Sequence, residues 1–156
     1  MAVAFFSQDG CTVLQRLKDF GESSAEGLLA YKTQGWNRDG LALRAVPELW
    51  GKAAEPRKKI IFILTDASPS DDHDIPRQGI KPASLYGGEA AVTDAAQGVK
   101  ELKRQGFQVM ALVNSVMDAK LVTDAASRIY GEDYICLQDL SSLAQKVGNL
   151  VEKEII

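Results

Sequence analysis

Histidine is almost absent from this chain, with one residue, His73, among 156. That scarcity argues against a histidine-built zinc centre and weakens any Ser/His/Asp arrangement. Cysteine is nearly as rare. Cys11 and Cys136 stand far apart and in no metal-ligand spacing, as expected for reduced thiols in a cytosolic protein. No apolar run approaches the roughly 18 residues that span a bilayer. MAVAFF lacks a basic n-region and is too short for a signal peptide, so it is not expected to act as one. No block of Lys and Arg occurs and the net charge is −3, so neither a nucleic-acid nor a membrane partner is expected. There is no P-loop, no GxGxxG and no GxSxG, which removes the usual nucleotide and serine-hydrolase signatures.

What remains is an ordinary globular composition, 46% hydrophobic and 25% charged, in a length that suits one domain over residues 1–156. The elements alternate. Ala2 to Ser7 reads as a buried strand, Asp9-Gly10 as a hairpin turn, and Thr12 to Leu17 as an antiparallel edge strand. A short helix is expected over Ser23 to Tyr31, capped by Ser23 or Ser24. After a loop from Thr33 to Gly40, a helix carrying Leu41, Leu43, Val46 and Leu49 contains Pro47, which should kink or split it. Lys59 to Thr65 is continuously apolar rather than alternating, so cover on both faces is expected. From there the order is strand, helix, strand, helix, strand, helix. The helices run from Ala90 to Gln105, with Val92, Ala95, Ala96, Val99 and Leu102 on one face, from Asp118 to Tyr130, with Leu121, Val122, Ala125, Ala126 and Ile129 expected to be buried, and onward from an Asp139 cap. The strands run from Gln108 to Val113 and from Tyr134 to Leu137. This predicts an α/β fold, mostly parallel, with helices on both faces and one antiparallel edge strand.

Ligands of such sheets bind beyond the carboxyl ends of the strands. There the sequence reads KKIIFILTDASPSDDHD, with four aspartates in nine positions: Asp66, Asp71, Asp72 and Asp74. Thr65, Asp66, Ser68 and Ser70 are hard oxygen donors of the kind Mg²⁺ takes. Asp39, in the Gly-flanked loop before a helix, is a second candidate carboxylate, and equally an N-cap. Asp71 and Asp72 equally suit hydrogen bonds to their own loop. Arg38 suits an acid neighbour, and Trp36 and Tyr86 suit packing. An aspartyl-phosphate hydrolase would need a second Asp two residues after Asp66, where Ser68 stands. The Lys-Pro of a receiver domain occurs only at Lys81-Pro82, too early and after no strand.

GWNRDGLALRAV, followed about twenty residues on by KKIIFILTDASPSDD, resembles a von Willebrand factor A-type (VWA) domain. The likeness is nearest to bacterial nitric oxide reductase activation proteins and the cobaltochelatase VWA subunit. The segments FFSQDGCTVLQRLKDF, LYGGEAAVTDAAQGVKELKRQGFQV and IYGEDYICLQDLSSLAQKVGNLV extend it over essentially the whole chain. The resemblance implies a Rossmann-like VWA fold. NRDG and TDASPSDD correspond to the second and third loops of a metal-ion-dependent adhesion site. The D-x-S-x-S loop and the first, central strand have no counterpart, so the resemblance implies an N-terminally truncated domain.

It further implies a non-enzymatic protein-binding module, accessory to a MoxR-type AAA+ ATPase in enzyme activation or metal insertion. Asp39, Asp66 and Ser68 would form a partial site for Mg²⁺ or Mn²⁺. Asn37, Arg38, Asp71 and Asp72 would line the partner-binding loop. A cytoplasmic location and homo-oligomer contacts through an incomplete sheet belong to the same expectation. A metal-free interaction scaffold and a small Asp-dependent phosphohydrolase are the competing readings.

Overall fold

The structure is a computed structural model. It describes residues 1–8, 11–19, 21–24, 26–30, 32, 35–50, 58–71, 86–116, 118–137 and 143–155. The expected turn at Asp9-Gly10, the cap at Asp139 and the acidic stretch Asp72 to Asp74 lie outside these residues.

The first two strands, β1 (Ala2–Gln8) and β2 (Cys11–Lys18), pair antiparallel, with Phe5 opposite Leu14 and Phe6 opposite Val13. Helix α1 (Glu26–Leu29) is a single turn, shorter than the stretch its sequence predicts. Ser24 Oγ accepts the Glu26 N–H, and Gly27 in the middle of the turn disfavours extension. Helix α2 (Asp39–Trp50) continues through Pro47 and is not split there. Pro47 only deprives the Leu43 carbonyl of a helical partner. The far end of α2 is anchored by Trp50, whose ring meets Phe107 edge-on at 5.3 Å.

The parallel sheet comprises β3 (Lys59–Thr65), β4 (Phe107–Val113) and β5 (Tyr134–Cys136), in the spatial order β3-β4-β5. Lys59 pairs with Phe107 and Thr65 with Val113, while Tyr134 joins β4 at Ala111. Helices α3 (Gly88–Arg104) and α4 (Ala119–Tyr130) are the crossovers, and α5 (Leu143–Ile155) follows β5. Both crossovers step in the same direction, and right-handed connections then put α3 and α4 on one face. The buried core agrees. It joins Ile63, Phe107, Val109, Ala111 and Val113 of the sheet to Leu43 of α2, to Val92, Ala95, Val99 and Leu102 of α3, and to Val122, Ala126 and Ile129 of α4. Burying a side chain such as Leu102 contributes about 1.5–3 kcal/mol.

Three expectations are corrected. The antiparallel strands are not the edge of the parallel sheet; β1 and β2 form a sheet of their own. Among the described residues, β3 is the terminal strand and pairs only with β4. Nor is β3 covered on both faces: Ile63 is buried, but Leu64 is 55% exposed. Helices α2, α3 and α4 pack on the face that Ile63 joins, so among the described residues the expected helices on both faces are not seen at β3, and Leu64, on the opposite face, stays open. On α4, Leu121 points outward although it was expected in the core. The buried stripe runs through Val122, Ala126 and Ile129, about 100° around the helix from it.

Candidate functional site

The chain leaves β3 at Thr65 and turns sharply. Thr65 Oγ1 accepts the Ala67 N–H at 3.0 Å, and Asp66 Oδ1 accepts the Ser68 N–H at 3.0 Å. Between these two side-chain turns, Ala67 has φ +58°, a left-handed conformation costing about 1–2 kcal/mol for a residue with a Cβ. The turn leaves Asp66 exposed and Ala67 buried.

The segment that enters α2 lies across this turn. Asn37 and Ser70 are bridged twice: the Asn37 N–H donates to the Ser70 carbonyl at 2.8 Å, and the Ser70 N–H donates to Asn37 Oδ1 at 3.2 Å. Arg38 Nε donates to Asp71 Oδ2 at 2.6 Å. Asp71 pairs in turn with Tyr86 through both backbone groups, at 2.7 and 3.2 Å. The guanidinium of Arg38 lies 5.1 Å from the Tyr86 ring centroid.

Asp39 is the first residue of α2 and does not cap it; the Arg38 carbonyl accepts the Ala42 N–H, so Arg38 holds the cap position. The Asp39 side chain turns inward. It is 1% exposed, and among the described residues its Oδ1 has no hydrogen-bond partner. Burial, then the charges of Asp66 and Asp94, push its pKa up to about 7. These three carboxylates therefore lie within electrostatic reach of one another.

Asp94 is held by its neighbours. Arg44 donates to its Oδ1 at 2.8 Å and the Tyr86 hydroxyl to its Oδ2 at 2.9 Å. Burial and the bond to Asp94 raise the Tyr86 pKa, opposed by a bond from the Gly40 backbone. Gly40 is required where α2 crosses α3. A Cβ there would overlap the Asp94 carboxylate and lie 2.7 Å from the Asp94 carbonyl oxygen. Gly98 faces it across the crossing, where a Cβ would be 3.1 Å from Leu43 Cβ. From α4, Tyr130 is 1% exposed, and among the described residues its hydroxyl has no hydrogen-bond partner within bonding geometry. Burial raises its pKa first, the charge of Asp39 adds to this, and the nearby Thr65 side chain opposes it.

The structure thus brings Asp39 and Asp66 together, with Ser68 bound to Asp66 through its backbone. Asn37, Arg38 and Asp71 form a second, adjoining group, but they are bonded to one another and to Ser70 and Tyr86. Asp71 is completely buried, an anchor of its loop and not a surface group. Asp72 lies outside the described residues. Asp94, Arg44 and Tyr130 were not legible in the sequence, because they lie on helices up to 91 residues from Asp39 and carry no local motif. Among the described residues, no group of three or more His, Cys, Asp or Glu is arranged to hold a metal ion. No described helix is long and apolar enough to cross a membrane.

No family model matches the sequence. Over 98 residues the chain is 32% identical to protein NorD of Stutzerimonas stutzeri, covering 60% of this chain and 14% of that protein. The fold is similar to that of the pilus adhesin SpaC from Lactobacillus rhamnosus GG, with a TM-score of 0.63 over 92% of this chain and 22% of the adhesin. At 17% identity that likeness concerns the fold alone. The chain therefore spans about a seventh of NorD.

Proposed function

We propose that this chain is a non-enzymatic VWA-type protein-binding module that acts in the activation of nitric oxide reductase, and that Asp39 and Asp66 take a hard divalent cation at its binding edge. The loops resembling those of nitric oxide reductase activation proteins, together with the similarity to NorD, support the assignment. A MoxR-type AAA+ ATPase as partner and a cytoplasmic setting go with it as part of the proposal. So does association of two copies through the outer edge of β3.

The observation that carries the cation reading is the buried Asp39 carboxylate, with Oδ1 unpartnered beside the charge of Asp66. A buried polar atom left unbonded costs about 1–3 kcal/mol, and a bound cation would offset that cost and the mutual repulsion. Asp39 and Asp66, with the Ser68 hydroxyl, would hold Mg²⁺ or Mn²⁺, and water would fill the remaining positions. The cation would polarise whatever partner oxygen joins its coordination. Arg38, Asp71 and Asn37 serve this site by fixing the segment that carries Asp39.

Calorimetric titration of Mn²⁺ and Mg²⁺ tests the reading, with Asp39→Asn and Asp66→Asn run alongside. Saturable binding that both substitutions abolish is the expected result; heats unchanged by either would sink it. A metal-free interaction scaffold is the second reading. It is favoured by the bond between Asp66 Oδ1 and the Ser68 N–H, and by the proton that Asp39 retains near neutral pH. It predicts no saturable heat at millimolar ion. Turnover of a generic phosphomonoester, lost in Asp66→Asn, would instead point to a phosphohydrolase.

A further inference from the structure

Behind the acidic edge, a buried carboxylate oxygen and a buried phenol share one interior, and neither is bonded. Among the described residues, Asp39 Oδ1 and the Tyr130 hydroxyl are both enclosed without a hydrogen-bond partner. Each residue is 1% exposed. Buried polar groups in folded proteins are almost always bonded, so an acceptor and a donor left over side by side suggest a shared role.

Both groups face the same core. Leu43 lies one turn beyond Asp39 on α2 and shares its side of the helix. Leu43 and Tyr130 belong to the same buried cluster. Tyr130 is the last residue of α4, and α4 begins just beyond Val113, which pairs with Thr65 at the carboxyl edge of the sheet. Helical side chains tilt toward the N-terminus of their helix, so Tyr130 reaches back toward the Asp39–Asp66 edge. Its backbone is held at the opposite end, where Lys103 donates to the Tyr130 carbonyl at 3.3 Å. The charges of Asp39 and Asp66 both act on the hydroxyl, and the Thr65 side chain adjoins it.

The phenol supplies what the site needs. A carboxylate has about four acceptor positions, and one cation does not fill them. Those turned away from the ion and from water need a donor. The other nearby donors are bonded to other carboxylates: Arg44 and the Tyr86 hydroxyl to Asp94, and Arg38 to Asp71.

We infer that Tyr130 is a positioning residue of the cation site: its hydroxyl donates to the Asp39 carboxylate from the interior side and holds it in the orientation that meets the ion. The inference rests on the cation reading proposed above. Tyr130 touches no ion and acts only through Asp39. Without the ion the hydroxyl is unbonded, so its contribution falls on cation affinity and not on the stability of the cation-free fold.

The test is calorimetric titration of Mn²⁺ into the full native chain and into Tyr130→Phe. Val122→Ala, in the same buried cluster on α4, controls for general loosening of that helix. Tyr130→Phe should weaken Mn²⁺ binding about tenfold, the size of one hydrogen bond to a charged group. Its unfolding midpoint in chelator should match that of the native chain. Val122→Ala should lower that midpoint and leave the Mn²⁺ affinity unchanged. Saturating Mg²⁺ should also perturb the near-ultraviolet tyrosine absorption of the native chain, with a component that Tyr130→Phe lacks. No saturable heat from the native chain would remove the cation reading and this role with it. Equally tight binding by native and Tyr130→Phe chains would leave the cation reading standing and overturn the role of Tyr130 alone. Equal weakening by Val122→Ala, or a chelator midpoint of Tyr130→Phe well below the native one, would also overturn it, because the side chain would then only support the fold.

Discussion

Arg38 and Asp71, thirty-three residues apart, are joined by a 2.6 Å bond in which the carboxylate is wholly buried and the guanidinium 12% exposed. The pair locks the segment entering α2 onto the loop leaving β3, and so places Asp39 beside Asp66. Nearby backbone bridges between Asn37 and Ser70, and between Asp71 and Tyr86, fix the same junction. Removing one partner of a buried ion pair costs about 3–5 kcal/mol, because the other charge stays behind. Asp71→Ala is expected to lose that much in urea denaturation. A loss under 1 kcal/mol would mean that the backbone bridges alone hold the junction.

Asp39 makes stability depend on pH. Its pKa rises on folding from 3.8 to about 7, so between those values the native state binds more protons than the unfolded one. Stability from this group is therefore full below pH 4 and lost as pH rises through 7. The upper bound on the loss is about 4 kcal/mol. In chelator-treated protein, Asp39→Asn should flatten the profile and exceed the native chain by about 2 kcal/mol or more at pH 8. Parallel curves for the two proteins from pH 5 to 8 would contradict the buried, uncompensated carboxylate.

Gly40 should tolerate no side chain. Gly40→Ala forces a methyl group into Asp94 where α2 crosses α3, and overpacking of this kind costs about 1–3 kcal/mol. Because the clash involves the side chain of Asp94 as well as its backbone, Asp94→Ala should relieve part of the loss. A double-mutant cycle measures that coupling. Strict additivity would place the cost of Gly40→Ala elsewhere.

Tyr130 provides a test of opposite sign. Its buried hydroxyl is unpartnered, so deleting it removes no hydrogen bond and relieves a desolvation cost. Tyr130→Phe is expected to be neutral within about 0.5 kcal/mol, or stabilising, by thermal and urea denaturation without divalent ions. A loss above 1 kcal/mol would show that the hydroxyl is bonded in solution, to Thr65 or through a water.

Local pattern determined much of this protein. The apolar run from Lys59 to Thr65 is β3 to the residue, because seven residues rich in Ile and closed by the turn-forming Asp-Ala-Ser-Pro are too short for a buried helix and suit a strand. The periodicity of Val92, Ala95, Val99 and Leu102 set the buried face of α3. Asp118 was legible as the first residue of its helix segment, and its Oδ1 caps α4 by accepting the N–H groups of Lys120 and Leu121. The aspartate after β3 was readable because strand order alone puts it at the sheet's carboxyl edge.

Tertiary structure decided the rest. Whether Asp39 capped its helix or turned into the core depended on how α2 crosses α3, a contact that needs both Gly40 and Gly98. Asp94, Arg44 and Tyr130 entered the site only because crossover helices bring distant turns together, and no local spacing encodes that. The separation of the β1–β2 hairpin from the parallel sheet was equally hidden. Alternation and apolar content specify that a segment is a strand, but the partner it bonds is settled by long-range backbone pairing.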